Sequence, residues 1–261
     1  MRSDGRSGDN TLRPLSCELS CLHRADGSAL WKSGSTHVMA AVYGPIAPQH
    51  MSREQASGAI VSVLIKSGKN TNSSNSGSNT GTSQGATSLL VEQEWIALLT
   101  NVLSSAIDTS QHPRTVIEIV LQIIQDDGSV LGCLCHAAVA ALMDAGVELL
   151  YLPVATTCLV MTMTENSTNG KHMLDPTLAE EEQENAAQIV LVTDPNSNQK
   201  GQKQQDSQIL ACHTIGSNTA SIEQLLSCIP LAARASPAVT AFWRLAVEQK
   251  VTRESQTLWS K

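Results

Sequence analysis

The sequence predicts an α+β domain in which a mixed sheet is packed by helices, and three features carry that expectation. β-branched runs bounded by Gly and Asp turns open the chain. A strand, a tight turn and a small-residue helix follow one another near its centre, and further short strands lead into a helical C-terminal part. With 261 residues, 41% of them hydrophobic, the chain can bury a substantial core in one large domain or two small ones.

Residues 1–11 are polar and are expected to form a flexible tail. Turn signals at 25–28 (ADGS) and 32–35 (KSGS) bracket short strands, and 36–45 (THVMAAVYGP) is β-rich up to a Gly-Pro breaker. Residues 59–66 alternate Val61, Val63 and Ile65 on one face, so the chain is expected to open as an antiparallel meander. The stretch 67–88 is almost purely Ser, Thr, Asn and Gly, cannot offset its ordering entropy by burial, and reads as a disordered insertion. Beyond it, Leu90, Val91, Trp95, Leu98, Leu99, Val102, Leu103, Ala106 and Ile107 recur at helical spacing, and His112-Pro113 closes the helix.

Residues 115–125 (TVIEIVLQIIQ) form a β-branched run that should be a well-buried strand ending at Asp126-Asp127-Gly128. The small residues of 131–146 predict a helix lying close on a sheet, with Gly146 as a left-handed cap. Strands are expected at 151–164, 172–174, 187–193 and 208–214, with a long polar loop at 194–207. Ser221 with Gln224 offers a capping box, and helical spacing runs on through Val239, Trp243 and Val247. Pro230 and Pro237 are expected to kink or split this helix, and 251–261 to form a C-terminal tail.

Lys and Arg total 17 against 24 Asp and Glu, a formal net charge of −7, so no global field draws in nucleic acid and any bound polyanion must meet a local basic patch. Aromatics are only 3% of the chain, which argues against a surface of stacking rings for single strands. No long uncharged apolar run and no apolar leader occur, so a soluble intracellular protein with no membrane contact is expected. Seven cysteines, several in apolar runs, suit reduced thiols better than a disulfide framework.

Two clusters, Cys17/Cys21/His23 and Cys133/Cys135/His136, bring zinc to mind, but neither has paired C-x₂-C spacing, and both read as packing residues. The acidic run 180–184 could hold a hard divalent cation, yet reads better as a solvated face. Phosphate-loop, dinucleotide, zinc-protease and serine-hydrolase motifs do not occur, so neither a cofactor nor a resident metal is expected.

The phrase HRADGSALWKSGSTHVMAAVYGP (23–45) resembles the opening of the RNase PH family, where R-x-D-G-S-A and G-x-T-x-V-x-A-x-V-Y-G-P recur. HPRT (112–115), DDGS (126–129), LMDAGV (142–147) and LDPT (174–177) follow in family order, and the combination is most similar to a eukaryotic exosome ring subunit. The resemblance implies a ribosomal protein S5 domain 2-like fold over 12–250. It also implies assembly into a six-membered ring with other RNase PH-like subunits, RNA-binding cap subunits and a separate catalytic nuclease, and single-stranded RNA as the molecule handled. A nuclear and nucleolar location, with a cytoplasmic share, comes from the resemblance alone, as does a role in rRNA maturation and RNA decay.

Family members that act as enzymes hold inorganic phosphate and the RNA backbone with arginines, because two anions must be kept together. Where they carry D-G-G-T-R, this chain has Asp127, Gly128, Ser129, Val130 and Leu131, so the phosphate-holding arginine position is Leu131. An arginine row on the preceding helix matches Ala97, Asn101 and Ser104, and the late catalytic carboxylate falls at Ala186, Ala187 and Gln188, with Glu184 a short shift away. Without any matching, Arg114 is the one Lys or Arg between Lys69 and Lys171. A silent ring subunit is therefore expected. Arg53, Lys66, Lys69 and Arg114 are the candidates for touching the RNA backbone, although Arg114 reads better as a tie to a loop carboxylate. The competing expectation is a residual phosphorolytic or metal-dependent 3′–5′ nuclease acting as a homodimer.

Overall fold

A computed structural model describes residues 2, 4–48, 54–67, 84–161, 171–183, 186–195, 208–216 and 221–259. Strands β1 (Leu15–Leu19), β2 (Gly27–Ser33) and β3 (Thr36–Ile46) pair antiparallel in sequence order. The expected meander stops there. Strand β4 (Ile60–Ser67) leads through helix α1 (Gln84–Ala106) to β5 (Val116–Gln125), and β5 enters between β3 and β4. The pairing of β4 with β5 is parallel, because the intervening helix carries the chain back to the end where β4 began. The first sheet is therefore mixed, in the order β1-β2-β3-β5-β4.

Helix α2 (Val130–Asp144) follows β5 after a four-residue turn, and residues 130–142 are buried without interruption. A helix apolar all round is a core helix. It touches β2 and β3 of the first sheet and β6 (Val154–Met161) of the second, so it lies on both sheets rather than on one. Its small residues allow that approach. A Cβ on Gly132 would stand 3.2 Å from Thr157 Oγ1, and one on Gly27 would press to 2.3 Å of the Ala145 backbone nitrogen. Gly146 has the left-handed φ of +71° expected of a cap.

The second sheet runs β7-β6-β8-β9, all antiparallel, with β7 (Lys171–Leu174), β8 (Ala186–Asp194) and β9 (Gln208–Gly216), and the short α3 (Leu178–Glu181) bridges β7 and β8. Helix α4 (Ile222–Trp259) closes the fold against β6, β8 and β1. The capping box forms as expected, with Ser221 N donating to Gln224 Oε1 at 2.9 Å and Gln224 N to Ser221 Oγ at 3.3 Å. Pro230 and Pro237 both lie inside α4, which is not split. Pro237 cannot donate to the Ala233 carbonyl, and Ser236 Oγ reaches that oxygen instead, at 3.4 Å. The helix also runs on through Trp259, where a tail is expected from sequence. It is long and apolar enough to cross a membrane by length and composition, yet it buries Cys228, Ala232, Val239 and Trp243 against the sheets.

Three further expectations shift. Helix α1 begins at Gln84, inside the stretch read as a disordered insertion; residues 68–83, like 196–207 of the polar loop, lie outside the described residues. The N-terminal segment is not free of the domain, because Arg2 is buried. The acidic run is not a solvated face at its start, because Glu180 is buried and Glu181 faces inward. Two of the few aromatics are spent on the core: Trp31 (β2) and Trp243 (α4) enclose His136 (α2) at ring distances of 5.1 and 5.5 Å, with Phe242 edge-on to Trp31. Burial drives the His136 pKa down to about 4, so the ring is neutral in the core.

Candidate functional site

The turn between β5 and α2 meets the turn between β7 and α3 at the N-terminal end of α2. Ser129 and Asp175, one in each turn, both hold left-handed backbone at φ +52°, and Ser129 Oγ donates to the Pro176 carbonyl at 3.1 Å. Two strained non-glycine residues in contact mark a junction that the surrounding structure has to enforce. Gly128, at φ +82°, is needed there as glycine, because a Cβ would come within 2.7 Å of the Leu178 nitrogen.

Three guanidinium groups converge on this junction from the N-terminal segment. Arg13, buried, donates to Asp175 Oδ1 at 2.7 Å, to the Asp127 carbonyl at 2.7 Å and to the Gly128 carbonyl at 3.1 Å. The second Asp175 oxygen accepts from the Arg13 backbone N–H at 3.0 Å and from Ser33 Oγ at 3.2 Å. Burial pushes Asp175 upward, but the hydrogen bonds and charge of Arg13 outweigh it and hold the carboxyl below the usual range. Arg2 grips Glu180 through both oxygens at 3.2 and 2.9 Å and the Leu174 carbonyl at 2.7 Å. Arg6 pairs with Asp4 and donates to the Asp175 carbonyl at 2.8 Å. Each of the three cations is thus paired with one of the chain's own carboxylates, and only Arg13 Nε is left buried without a hydrogen-bond partner among these guanidinium nitrogens.

A helix N-terminus attracts an anion because its first N–H groups have no partner within the helix. Here the first N–H is taken by the chain's own carboxyl. Glu181 Oε1 accepts from Ser129 N at 2.7 Å and from Gln188 Nε2 at 2.9 Å. Burial raises the Glu181 pKa to about 7, against the lowering effect of the Ser129 N–H. The hollow beside it is a cavity of about 30 Å³ lined by Ser33, Ser129, His136, Thr157 and Asp175. That is room enough for ordered water.

Leu131 is buried in the first turn of α2 and Ala187 is buried in β8 beside Gln188. Ala97, Asn101 and Ser104 are exposed along one face of α1 and carry no charge themselves. Of the candidate RNA contacts, Lys66 is exposed near the end of β4 and Arg114 is exposed before β5. The β4–β5 register sets Lys66 opposite Gln122 and Ile60 opposite Val116, so Lys66 and Arg114 stand at opposite ends of the pair, roughly 25 Å apart along the strands. Arg114 also pairs with Glu54 at 3.5 Å and takes left-handed backbone, which is the loop-tying role. Arg53, Lys69 and Glu184 lie outside the described residues. Among the described residues, no three His, Cys, Asp or Glu side chains are placed to hold a metal ion. Sequence reading missed Arg2, Arg6 and Arg13, and took Glu181 only as part of the acidic run. LDPT pointed to the Asp175 turn, but nothing in a polar N-terminal segment signals arginines that fold back on it.

Residues 11–148 match the RNase PH domain described as 3′ exoribonuclease family, domain 1. The chain is 33% identical over 258 residues to an exosome complex exonuclease RRP46 homolog of Oryza sativa subsp. japonica, covering 95% of this chain and 96% of the relative. It is 37% identical over 180 residues to the Arabidopsis thaliana homolog, spanning 69% of this chain and 65% of that one. The crystal structure of rice Rrp46 superposes with a TM-score of 0.73 at 32% identity, over 95% of this chain and all of that one. An Archaeoglobus fulgidus exosome with RNA bound to the active site shares the fold, with a TM-score of 0.67 at 18% identity over 93% of this chain and 92% of that one. On the family match and the near full-length likeness to the rice protein, this chain belongs to the RNase PH family.

Proposed function

We propose that the chain is a ring subunit of an RNA exosome that scaffolds the ring and helps line its RNA channel without cutting RNA itself. Support for the ring role comes from the relatives, which are named as exosome components of the Rrp46 and Rrp41 kinds. In this reading its neighbours are other RNase PH-like subunits in a six-membered ring, with RNA-binding cap subunits above and a separate nuclease receiving the strand. Lys66 and the nearby Lys69, with Arg53 and Arg114, touch the RNA backbone without reading sequence. The protein serves 3′–5′ processing and decay, including rRNA maturation, in nucleus, nucleolus and cytoplasm.

The silent character rests on one observation: Arg2, Arg6 and Arg13 are matched internally, and Glu181 sits on the N–H that a phosphate oxygen would need. A phosphate nucleophile entering this junction would meet the Glu181 carboxyl already on the Ser129 N–H. Purified chain incubated with end-labelled single-stranded RNA, with and without phosphate or Mg²⁺, should leave the RNA intact, and should form a stable heterodimer with another RNase PH-type subunit on size exclusion. Phosphate-dependent shortening of the RNA, or metal-dependent turnover abolished by Glu184→Ala, would replace this reading with the residual nuclease.

A further inference from the structure

Away from the α2 junction, two buried thiols from distant parts of the chain meet between the second sheet and α4. Cys158 lies in β6 and Cys228 in the second turn of α4; both are fully buried and free, and their side chains hydrogen-bond to each other. The Cys228 sulfur also stands 3.8 Å from His172 Nδ1, and the neighbouring Ser227 Oγ is 3.0 Å from His172 Nε2. His172 and Ser227 are themselves partly exposed, so the thiol pair lies one side chain below the surface. Paired cysteines with an imidazole on one of them are more than packing requires, because a small apolar residue fills such a site equally well.

We propose that Cys158 and Cys228 are an oxidisable dithiol that a peroxide closes into a disulfide tying β6 to α4. The inference does not depend on the ring role.

Cys228 is the attacking sulfur. The Cys158 hydrogen bond stabilises its thiolate most, ahead of Ser227, against the opposing effect of burial, and the same contact with burial keeps Cys158 protonated. Burial lowers the His172 pKa, so its ring is neutral near pH 7 and able to accept the Cys228 proton. The thiolate attacks one peroxide oxygen, the O–O bond breaks, and the departing hydroxide takes the proton from His172 to leave as water. Cys228 is then a sulfenic acid. The Cys158 sulfur attacks it, the S–S bond forms, and the S–O bond breaks to release a second water carrying the Cys158 proton. Two thiols and one hydrogen peroxide thus give one disulfide and two waters. Sulfurs already in hydrogen-bonding contact have to close by only about 1–2 Å to reach bonding distance.

The test uses the full chain, reduced, then exposed to hydrogen peroxide, alkylated and mapped by peptide mass spectrometry without reductant. The expected result is loss of two thiols and of two hydrogen atoms in mass, a cross-linked peptide pair carrying Cys158 and Cys228, and return of both thiols with dithiothreitol. Cys158→Ser should leave a sulfenic acid on Cys228 that dimedone traps, and His172→Gln should slow its formation by about tenfold. An unchanged thiol count, oxidation confined to the exposed Cys212, or a cross-link between Cys212 and Cys228 would overturn the proposal, and each is read on the unmutated protein.

Discussion

The two ends of α2 carry inward-facing carboxylates under opposite conditions. At the N-terminal end Glu181 sits where the helix dipole favours a negative charge, accepting from Ser129 N, yet no cation among the described residues pairs with it and burial raises its pKa to about 7. At the C-terminal end Asp144 sits where the dipole opposes it. There Lys250 Nζ donates at 2.6 Å, Ser28 N at 2.9 Å and Ser20 Oγ at 2.9 Å. The C-terminal carboxylate is a structural clamp holding β1, β2, α2 and α4 together. The N-terminal carboxylate is a plug. Direct contact with a cation and two backbone or hydroxyl donors decides the first case, and desolvation decides the second, so the dipole is the weaker term at both ends.

The largest effect should come from the cation that organises the N-terminal junction. Arg13→Met leaves Asp175 buried without its partner and should cost about 3–5 kcal/mol. Urea denaturation at neutral pH reads that loss directly. Asp175 is held low, so its contribution is present above the unfolded carboxyl pKa of about 3.9 and is lost as pH falls through its folded value. The penalty of Arg13→Met should therefore shrink in acid, and a penalty unchanged with pH would remove Asp175 from the account.

Next comes the clamp. Asp144→Ala strands Lys250 and the Ser28 N–H, and should cost about 2–3 kcal/mol, less than a fully buried pair because the Lys250 side chain keeps 20% of its exposure. Asp144→Asn, which retains hydrogen-bonding capacity, should recover part of that loss in thermal unfolding. Equal losses for the two variants would mean that the charge does everything.

At the plug the sign reverses. A carboxyl whose folded pKa is raised contributes fully below the unfolded value, about 4.5, and loses that contribution as pH rises through about 7. Glu181→Gln should therefore be more stable than the parent at pH about 8, by a few degrees in Tm, with the difference gone near pH 5. A variant destabilised at alkaline pH would show that the ionised carboxylate is welcome there.

The smallest effect concerns RNA. Lys66→Ala should weaken binding of single-stranded RNA by the assembled ring uniformly across sequences and lower the salt slope by about one. Arg114→Ala should change it less, because Arg114 is engaged with Glu54.

Much of the fold is legible in the chain because its signals are local. The β-branched alternation of β4, the small-residue run of α2 and the Ser221 capping box each appear within a few residues of their expected places. The order of β5 and β4 is not legible. Whether a strand pairs with its predecessor or is inserted beyond it depends on where an intervening helix packs. Leu131, Asn101 and Ala187 could be read as uncharged positions, since identity alone settles that. What faces the α2 junction could not.

The sequence alone determined the element order, the family and the scarcity of cations between Lys69 and Lys171. Only the tertiary structure decided that Arg2, Arg6 and Arg13, written at the far N-terminal end, come to the α2 junction and arrive there already neutralised by Asp4, Asp175 and Glu180. The same holds for Cys158 and Cys228, seventy positions apart in the chain. The reason is common to both cases: charge matching and thiol contact act over a few ångströms of space, and separation along a folded chain carries almost no information about that distance.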